Sequence, residues 1–432
     1  MDWKEQYADR TLSLEEAAGK VAPDSTVLVG MGVGIPYALL NAVTVSGIGF
    51  TLYAASVSSP VKAYLPPYNR RIAVKNCFFG PVERASMKLR PNLFYQPMHL
   101  SDTGFDRSGA HRPDTVLIQA APPDENGMLS QGPSPLPADA IPPEAQLIVQ
   151  INDRVPYIRG DGCMIPASRA DWFTEAAEPI FAMAASAPTE LERSIAGNIV
   201  DRIDDGACIQ LGIGSIGTAV GAFLKDKKHL GIHTEMFVES MADLLECGAA
   251  DNSRKTQCPG KSVYGFAAGS ARLYEYLAAD RNAETRPFSW VNDPRVISQN
   301  DNVVSVNSAL GVDLTGQVCA ESIGQSQYSG TGGQADYVRG ARWSRGGKSF
   351  IAMPSTRTDK AGKMYSKITL TLPEGSAVTT LRSDVQYIVT EYGCVDLRGE
   401  ALDVRAKKLI SISHPDFRDE LTAAAKKAGL IL

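Results

Sequence analysis

Ala207-Cys208-Ile209-Gln210-Leu211-Gly212-Ile213-Gly214-Ser215-Ile216-Gly217 is an apolar run that breaks into glycines and resumes with helical spacing. A short apolar run closed by a Gly-rich turn reads as a buried strand, and the amides opening the next helix can face an anion. The same order stands near the N-terminus. Leu14 to Val21 has helical spacing, Ser25-Thr26-Val27-Leu28-Val29 is apolar, and Gly30, Gly32 and Gly34 follow. Ahead of the quoted stretch, Leu191 to Val200 supplies the matching amphipathic helix. Three later matches keep the order: Ile48 to Leu52 with Ile232 to Glu235, Asp124-Glu125-Asn126-Gly127 with Asp359-Lys360-Ala361-Gly362, and Gln146 to Val149 with Gln386 to Val389. Five ordered matches imply an internal repeat, hence two related α/β domains, 1–186 and 187–432, joined at Ala185 to Thr189. Apolar strands alternating with helical segments imply open, mostly parallel sheets covered on both faces. In such folds ligands sit beyond the carboxyl ends of strands, and the active site is expected in the cleft between the domains.

Composition excludes several classes. The 432 residues carry 43 Lys and Arg against 48 Asp and Glu, a formal charge of -5, with 44% hydrophobic residues. That balance argues against a nucleic-acid binder or a polybasic membrane-surface protein. No apolar stretch approaches a membrane span, and the start, Met1-Asp2-Trp3-Lys4-Glu5, lacks a signal-peptide core, so a cytoplasmic location is expected. Seven scattered cysteines with no C-x-x-C pair argue against a zinc site or disulfide framework. No metal is expected.

The repeat offers an internal control on chemistry. At the end of the second strand the first half has Leu52, whereas the second half has Glu235. A carboxylate at a strand end beside a Gly-rich turn is a candidate nucleophile or base. Ser329-Gly330-Thr331-Gly332-Gly333, with Asp336 behind it, is a second Gly-rich turn suited to close approach of backbone to a ligand. Glu391 follows the strand Tyr387-Ile388-Val389 and places another carboxylate at a strand end. From Arg339 to Lys367 eight cations meet only Asp359, a local charge of +7 that could meet a phosphorylated nucleotide. His233 is expected to pack away from Glu235, and Cys394 to be a small buried hydrophobe.

Taken in order, Leu211 to Ile216, Gly231 to Met236, Gly330 to Asp336 and Thr390 to Gly393 resemble the acetyl-CoA hydrolase/transferase family, on its 4-hydroxybutyrate CoA-transferase and butyryl-CoA:acetate CoA-transferase branch. The similarity spans essentially the whole chain. It implies a CoA-transferase-like fold, CoA as substrate and covalent intermediate, and transfer of CoA from an acyl-CoA to a small carboxylic acid. Acetate, butyrate, 4-hydroxybutyrate and a small dicarboxylate all fit, with Met31 to Pro36 contributing to the acid pocket. By matching motif, Glu235 resembles the glutamate converted to a glutamyl-CoA thioester. Gly212, Ile213, Gly214, Ser215 and Ile216 resemble the CoA loop, and Gly332 and Gly333 the turn whose amide holds the thioester oxygen. Glu391 resembles an accessory acid near the reacting centre. Arg345 stands where relatives often carry Lys, and is taken as a CoA contact. Gly311 stands where an acidic residue is expected. A homo-oligomer, in its simplest form a dimer, is expected.

Rival readings use the same residues. Gly212-x-Gly214-x-x-Gly217 is formally a dinucleotide fingerprint, with Glu235 18 residues beyond Gly217, so a nicotinamide-dependent oxidoreductase is an alternative. An acyl-CoA hydrolase with the same glutamate and a non-enzymatic acyl-CoA sensor are two more. Glu125 is the rival nucleophile, although its repeat partner Asp359 to Gly362 suggests a strand-joining turn.

Overall fold

The computed structural model describes residues 3–89, 92–104, 112–183, 187–212 and 214–432. Each half has a reciprocally capped helix ahead of its first strand. Ser13 Oγ accepts from the Glu16 amide at 3.3 Å, while Glu16 Oε2 accepts from the Ser13 amide at 2.9 Å, starting α1 (Leu14–Ala18). Thr189 and Glu192 repeat this box at 3.4 and 2.7 Å ahead of α2 (Glu190–Val200).

The chain forms two compact units, Met1–Ala184 with Val263–Val291, and Ala185–Ser262 with Asn292–Leu432. Val263–Val291, counted on sequence with residues 187–432, thus clusters with the first unit. That unit holds β1 (Thr26–Gly32), β2 (Phe50–Val57), β3 (Ile72–Asn76), β4 (Leu93–Tyr95), β5 (Thr115–Ala120), β6 (Gln146–Ile151) and β7 (Trp172–Glu175). They form one sheet in the order β4-β3-β2-β1-β5-β6-β7 with every pairing parallel. All of β5 is buried, and apolar clusters cover both faces, as a parallel sheet requires.

The second unit repeats the parallel core of this plan around one inserted strand. Its strands β8 (Cys208–Leu211), β9 (Gly231–Phe237), β10 (Val303–Ser308), β11 (Lys348–Ala352), β14 (Tyr387–Thr390) and β15 (Gly393–Asp396) run in the order β9-β8-β10-β11-β14-β15. All these pairings are parallel except β14 with β15. A small antiparallel hairpin, β12 (Thr356–Thr358) and β13 (Met364–Ser366), follows β11. β5 precedes the Asp124 turn as β11 precedes the Asp359 turn, so β10 is the strand that the first unit lacks. Helix α4 (Gln334–Trp343) follows β10, after α3 (Ser215–Phe223) in the Gly-rich β8 loop.

The register corrects the residue-level pairing of the halves. Val27 lies beside Leu52, and Ile209, which precedes Gly212 as Val27 precedes Gly30, lies beside Ile232. Leu52 is therefore the counterpart of Ile232, and the counterpart of Glu235 is Ala55. The contrast survives in a sharper form, a small apolar residue against a carboxylate. No helix among the described residues is long and apolar enough to cross a membrane.

Candidate active site

Glu235 lies near the carboxyl end of β9, partly exposed in a strand otherwise buried. Asn292 Nδ2 donates to Glu235 Oε2 at 2.8 Å, and the Gly333 amide donates to the same carboxyl group. A Cβ on Gly333 would overlap both Glu235 Oε2 and Asn292 Nδ2, so only glycine lets the backbone come this close. The carboxyl is pushed up to about 7, first by burial and then by the Asp336 charge, against the two hydrogen bonds that favour its ionised form. A carboxylate held in this way titrates at neutral pH and is poised for nucleophilic work.

The donor loop is braced on every side. Gln334, first in α4, donates from Nε2 to the Ser308 carbonyl at 2.8 Å and accepts at Oε1 from Thr380 Oγ1 at 3.0 Å. Thr331 Oγ1 donates to Glu321 Oε2 at 3.2 Å. The turn that carries the Gly333 amide is therefore held without help from a ligand, which is what electrostatic stabilisation of a developing oxyanion demands.

His233 does not pack away from Glu235. Two residues along a strand return to the same face, and His233 lies buried there with Nδ1 3.3 Å from Asn300 Nδ2 and its ring edge-on to Tyr337. Tyr337 is fully buried, and burial followed by the charges of Glu235 and Asp336 keeps its hydroxyl protonated.

The β8 loop divides into two kinds of residue. Gly214 caps α3 with φ of 119°, a conformation that favours glycine, and lies exposed beside partly exposed Gly212 and Ser215. Ser215 Oγ is hydrogen-bonded to Glu192 Oε1, which ties the loop to the capping box of α2. The Ile216 side chain is buried. Ile213 lies outside the described residues.

Two other expected residues make their printed contacts away from Glu235. Glu391 accepts from the Ser355 amide at 2.9 Å and from Ser355 Oγ at 2.5 Å. Three strands, β8, β10 and β11, stand between its strand and β9 in the sheet. Arg345 is exposed and ion-paired with Asp301, in the turn before β11. That turn is at the amino edge of the parallel sheet, opposite the end that carries Glu235. The basic segment is likewise not one patch: Arg339 and Arg342 pair with Asp384, and Lys348 with Asp204.

Glu125 is exposed in a turn held by Asp124, whose Oδ1 accepts from the Asn126 and Met128 amides at 2.9 Å each. Asn292 was not singled out on sequence. It precedes Asp293, which caps the short helix Pro294–Ile297, and that capping signal hides the side chain before it. In the first unit, an apolar cavity of about 120 Å³ is lined by Gly30, Met31, Tyr53, Ala55, Met98 and Phe288 among others.

Comparison with known proteins gives a consistent picture. The family model of the acetyl-CoA hydrolase/transferase C-terminal domain matches residues 269–425. The chain is 38% identical to 4-hydroxybutyrate coenzyme A transferase of Clostridium kluyveri, covering 99% of this chain and 100% of that one. It is 36% identical to butyryl-CoA:acetate CoA-transferase of Anaerostipes caccae, covering 100% and 99%. The crystal structure of RipA from Yersinia pestis superposes with a TM-score of 0.91 at 36% identity, covering 100% of both chains.

Proposed function

This chain belongs to the acetyl-CoA hydrolase/transferase family and is an enzyme of the CoA-transferase type, and on that premise we propose that it moves CoA from an acyl-CoA to a small carboxylic acid through a thioester on Glu235. The observation that carries this reading is the pair of N–H donors, from Asn292 and Gly333, on one partly exposed carboxyl group.

The chemistry follows from that placement. Ionised Glu235 attacks the acyl carbonyl of the thioester, the C–S bond breaks, and a mixed anhydride and CoA thiolate result. The thiolate then attacks the Glu235 side-chain carbonyl, forming glutamyl-CoA and releasing the first acid as its carboxylate. A second carboxylate reverses both steps and leaves as its own acyl-CoA, so the thioester energy is retained. When thiolate attacks, the Glu235 oxygen facing Asn292 and Gly333 becomes the oxyanion. Each well-placed donor is worth roughly 3–4 kcal/mol at that point. Holding nucleophile and thioester together supplies the remaining advantage of an otherwise weak carboxylate nucleophile.

We assign Glu235 as the nucleophile, Asn292 and Gly333 as its oxyanion donors, and Gly212, Gly214, Ser215 and Gly332 as backbone or hydroxyl contacts for CoA. Glu391 acts through Ser355, and Arg345 is left out. The acid belongs to the acetate, butyrate and 4-hydroxybutyrate class named for the relatives. Glu235→Gln should bind acyl-CoA yet transfer no CoA to any of these acids. Transfer by that variant at near wild-type rate would overturn the reading.

A further inference from the structure

The β12–β13 hairpin carries cations that its fold does not need. Asp359 shapes its turn: Oδ1 accepts from the Ala361 amide at 2.9 Å and the Lys363 amide at 3.0 Å, while Gly362 donates to the Asp359 carbonyl at 3.1 Å. The Asp124 turn of the first unit has the same bonds, from Asn126, Met128 and Gly127 at 2.9 Å each. The repeat therefore makes this turn twice from Asp and Gly alone. Counted from the turn, Arg357, Lys360 and Lys363 replace Pro122, Glu125 and Met128. The charge is an addition peculiar to the second unit.

Its geometry suits a polyanion. Arg357 lies opposite Tyr365 in the hairpin register, with the guanidinium 4.4 Å from the ring centroid, and Lys363 Nζ lies 5.1 Å from the same ring. One face thus carries two cations beside one aromatic ring, with exposed Lys360 at the tip. None of the three is held in an ion pair among the described residues; Asp359, the one carboxylate in the hairpin, is engaged by the turn amides and by Tyr365 Oη at 3.1 Å. The base is fixed to the sheet by Ser355, whose amide and hydroxyl donate to Glu391 and whose carbonyl accepts from the Lys367 amide at 2.8 Å.

Position supplies the identity of the anion. Strands β9, β8, β10 and β11 are parallel neighbours, so Glu235 and the start of the hairpin occupy the same edge of the sheet. Three strand steps separate β9 from β11, roughly 14 Å between the strand axes, and the cations lie beyond the end of β11. The extended chain from the sulfur of CoA to its pyrophosphate is about 15 Å by ordinary bond lengths. From this match we infer that Arg357, Lys360 and Lys363 bind the phosphate groups of the CoA nucleotide while the sulfur lies at Glu235, with Glu391 acting as the positioning residue for the hairpin. The inference rests on the CoA-transferase reading above.

Equilibrium binding of CoA, dephospho-CoA and pantetheine to the full chain tests it, beside a triple variant Arg357→Ala, Lys360→Ala, Lys363→Ala and a charge-retaining Lys360→Arg, Lys363→Arg pair. The triple variant should bind CoA roughly 10-fold more weakly, the sum expected of three exposed charge contacts, and should lose most of the salt dependence. Pantetheine binding should not change, and the charge-retaining pair should bind CoA as wild type does. Unchanged CoA affinity in the triple variant, or an equal loss for pantetheine, would overturn the assignment. Covalent capture on Glu235 is measured separately, so failure of the glutamyl thioester leaves this binding test intact and distinguishable.

Discussion

Glu235 is placed where ionisation is costly and is then supplied with donors that favour its charge. The nucleophile must be ionised, so kcat/KM for acyl-CoA should rise with pH through about 7 and fall away below it. The Asp336 charge opposes that ionisation. Asp336→Asn should lower the midpoint of this profile by roughly half a unit to one unit, a change that a purely structural role would not produce. An unmoved midpoint would contradict the electrostatic role given to Asp336. Stability responds in the opposite sense. The folded carboxyl titrates at about 7 against 4.5 in the unfolded chain, so its contribution is complete below pH 4.5 and is lost as pH rises through about 7. Glu235→Gln should therefore be more stable than wild type above pH 7, by up to roughly 3 kcal/mol in denaturant titrations, while being inactive. Glu235, proposed as the nucleophile, was singled out in the sequence because a carboxylate stands at a strand end beside Gly-rich turns where the other half is apolar. Asn292 was not, because an amide before a helix cap carries no signal until a partner is seen.

At the scale of elements, the β10 strand and helix α4 turn the common plan into a site. The turn leading into α4 delivers Gly333 to β9, held by Gln334 on the last residue of β10. Gly333→Ala would push the Glu235 carboxyl and the Asn292 amide out of line with the Gly333 amide, so kcat should fall by about 100- to 1,000-fold, the cost of losing one oxyanion donor. KM for the acid should change little; a near-normal kcat would show that the amide is dispensable. Glu391 belongs to this scale too. Its two hydrogen bonds hold Ser355 at the base of the hairpin, and Glu391→Ala should raise KM for acyl-CoA without moving the pH midpoint set at Glu235. Strands and Gly-rich turns were readable as apolar runs and breakers. The added β10 was not, since an extra parallel strand has the same apolar pattern as its neighbours. The ion pair of Arg345 with Asp301 was not readable for a related reason: local charge does not reveal which edge of a sheet a turn occupies.

For the whole molecule, two units share a parallel-sheet plan, and the carboxylate proposed as nucleophile stands in one of them. Ala55, the counterpart of Glu235, lines an apolar cavity in the first unit, so the same strand position is apolar there and acidic in the second. The repeat was readable because five landmarks kept their order, whereas the grouping of Val263–Val291 with the first unit depends on contacts that no local pattern encodes. An average charge of -5 also conceals how charge is spent. Four of the eight cations from Arg339 to Lys367 pair with acids outside that segment, and the hairpin keeps three for a ligand. If CoA passes through the enzyme itself, the chain should exchange labelled acid with its own acyl-CoA in the absence of any second acid. The most direct measurement is borohydride treatment of the enzyme with acyl-CoA, followed by mass spectrometry of its peptides. The expected result is inactivation with the side chain of Glu235 reduced to an alcohol and CoA released; modification at Glu125 or Glu391 instead, or no covalent CoA at any residue before reduction, would contradict the central claim.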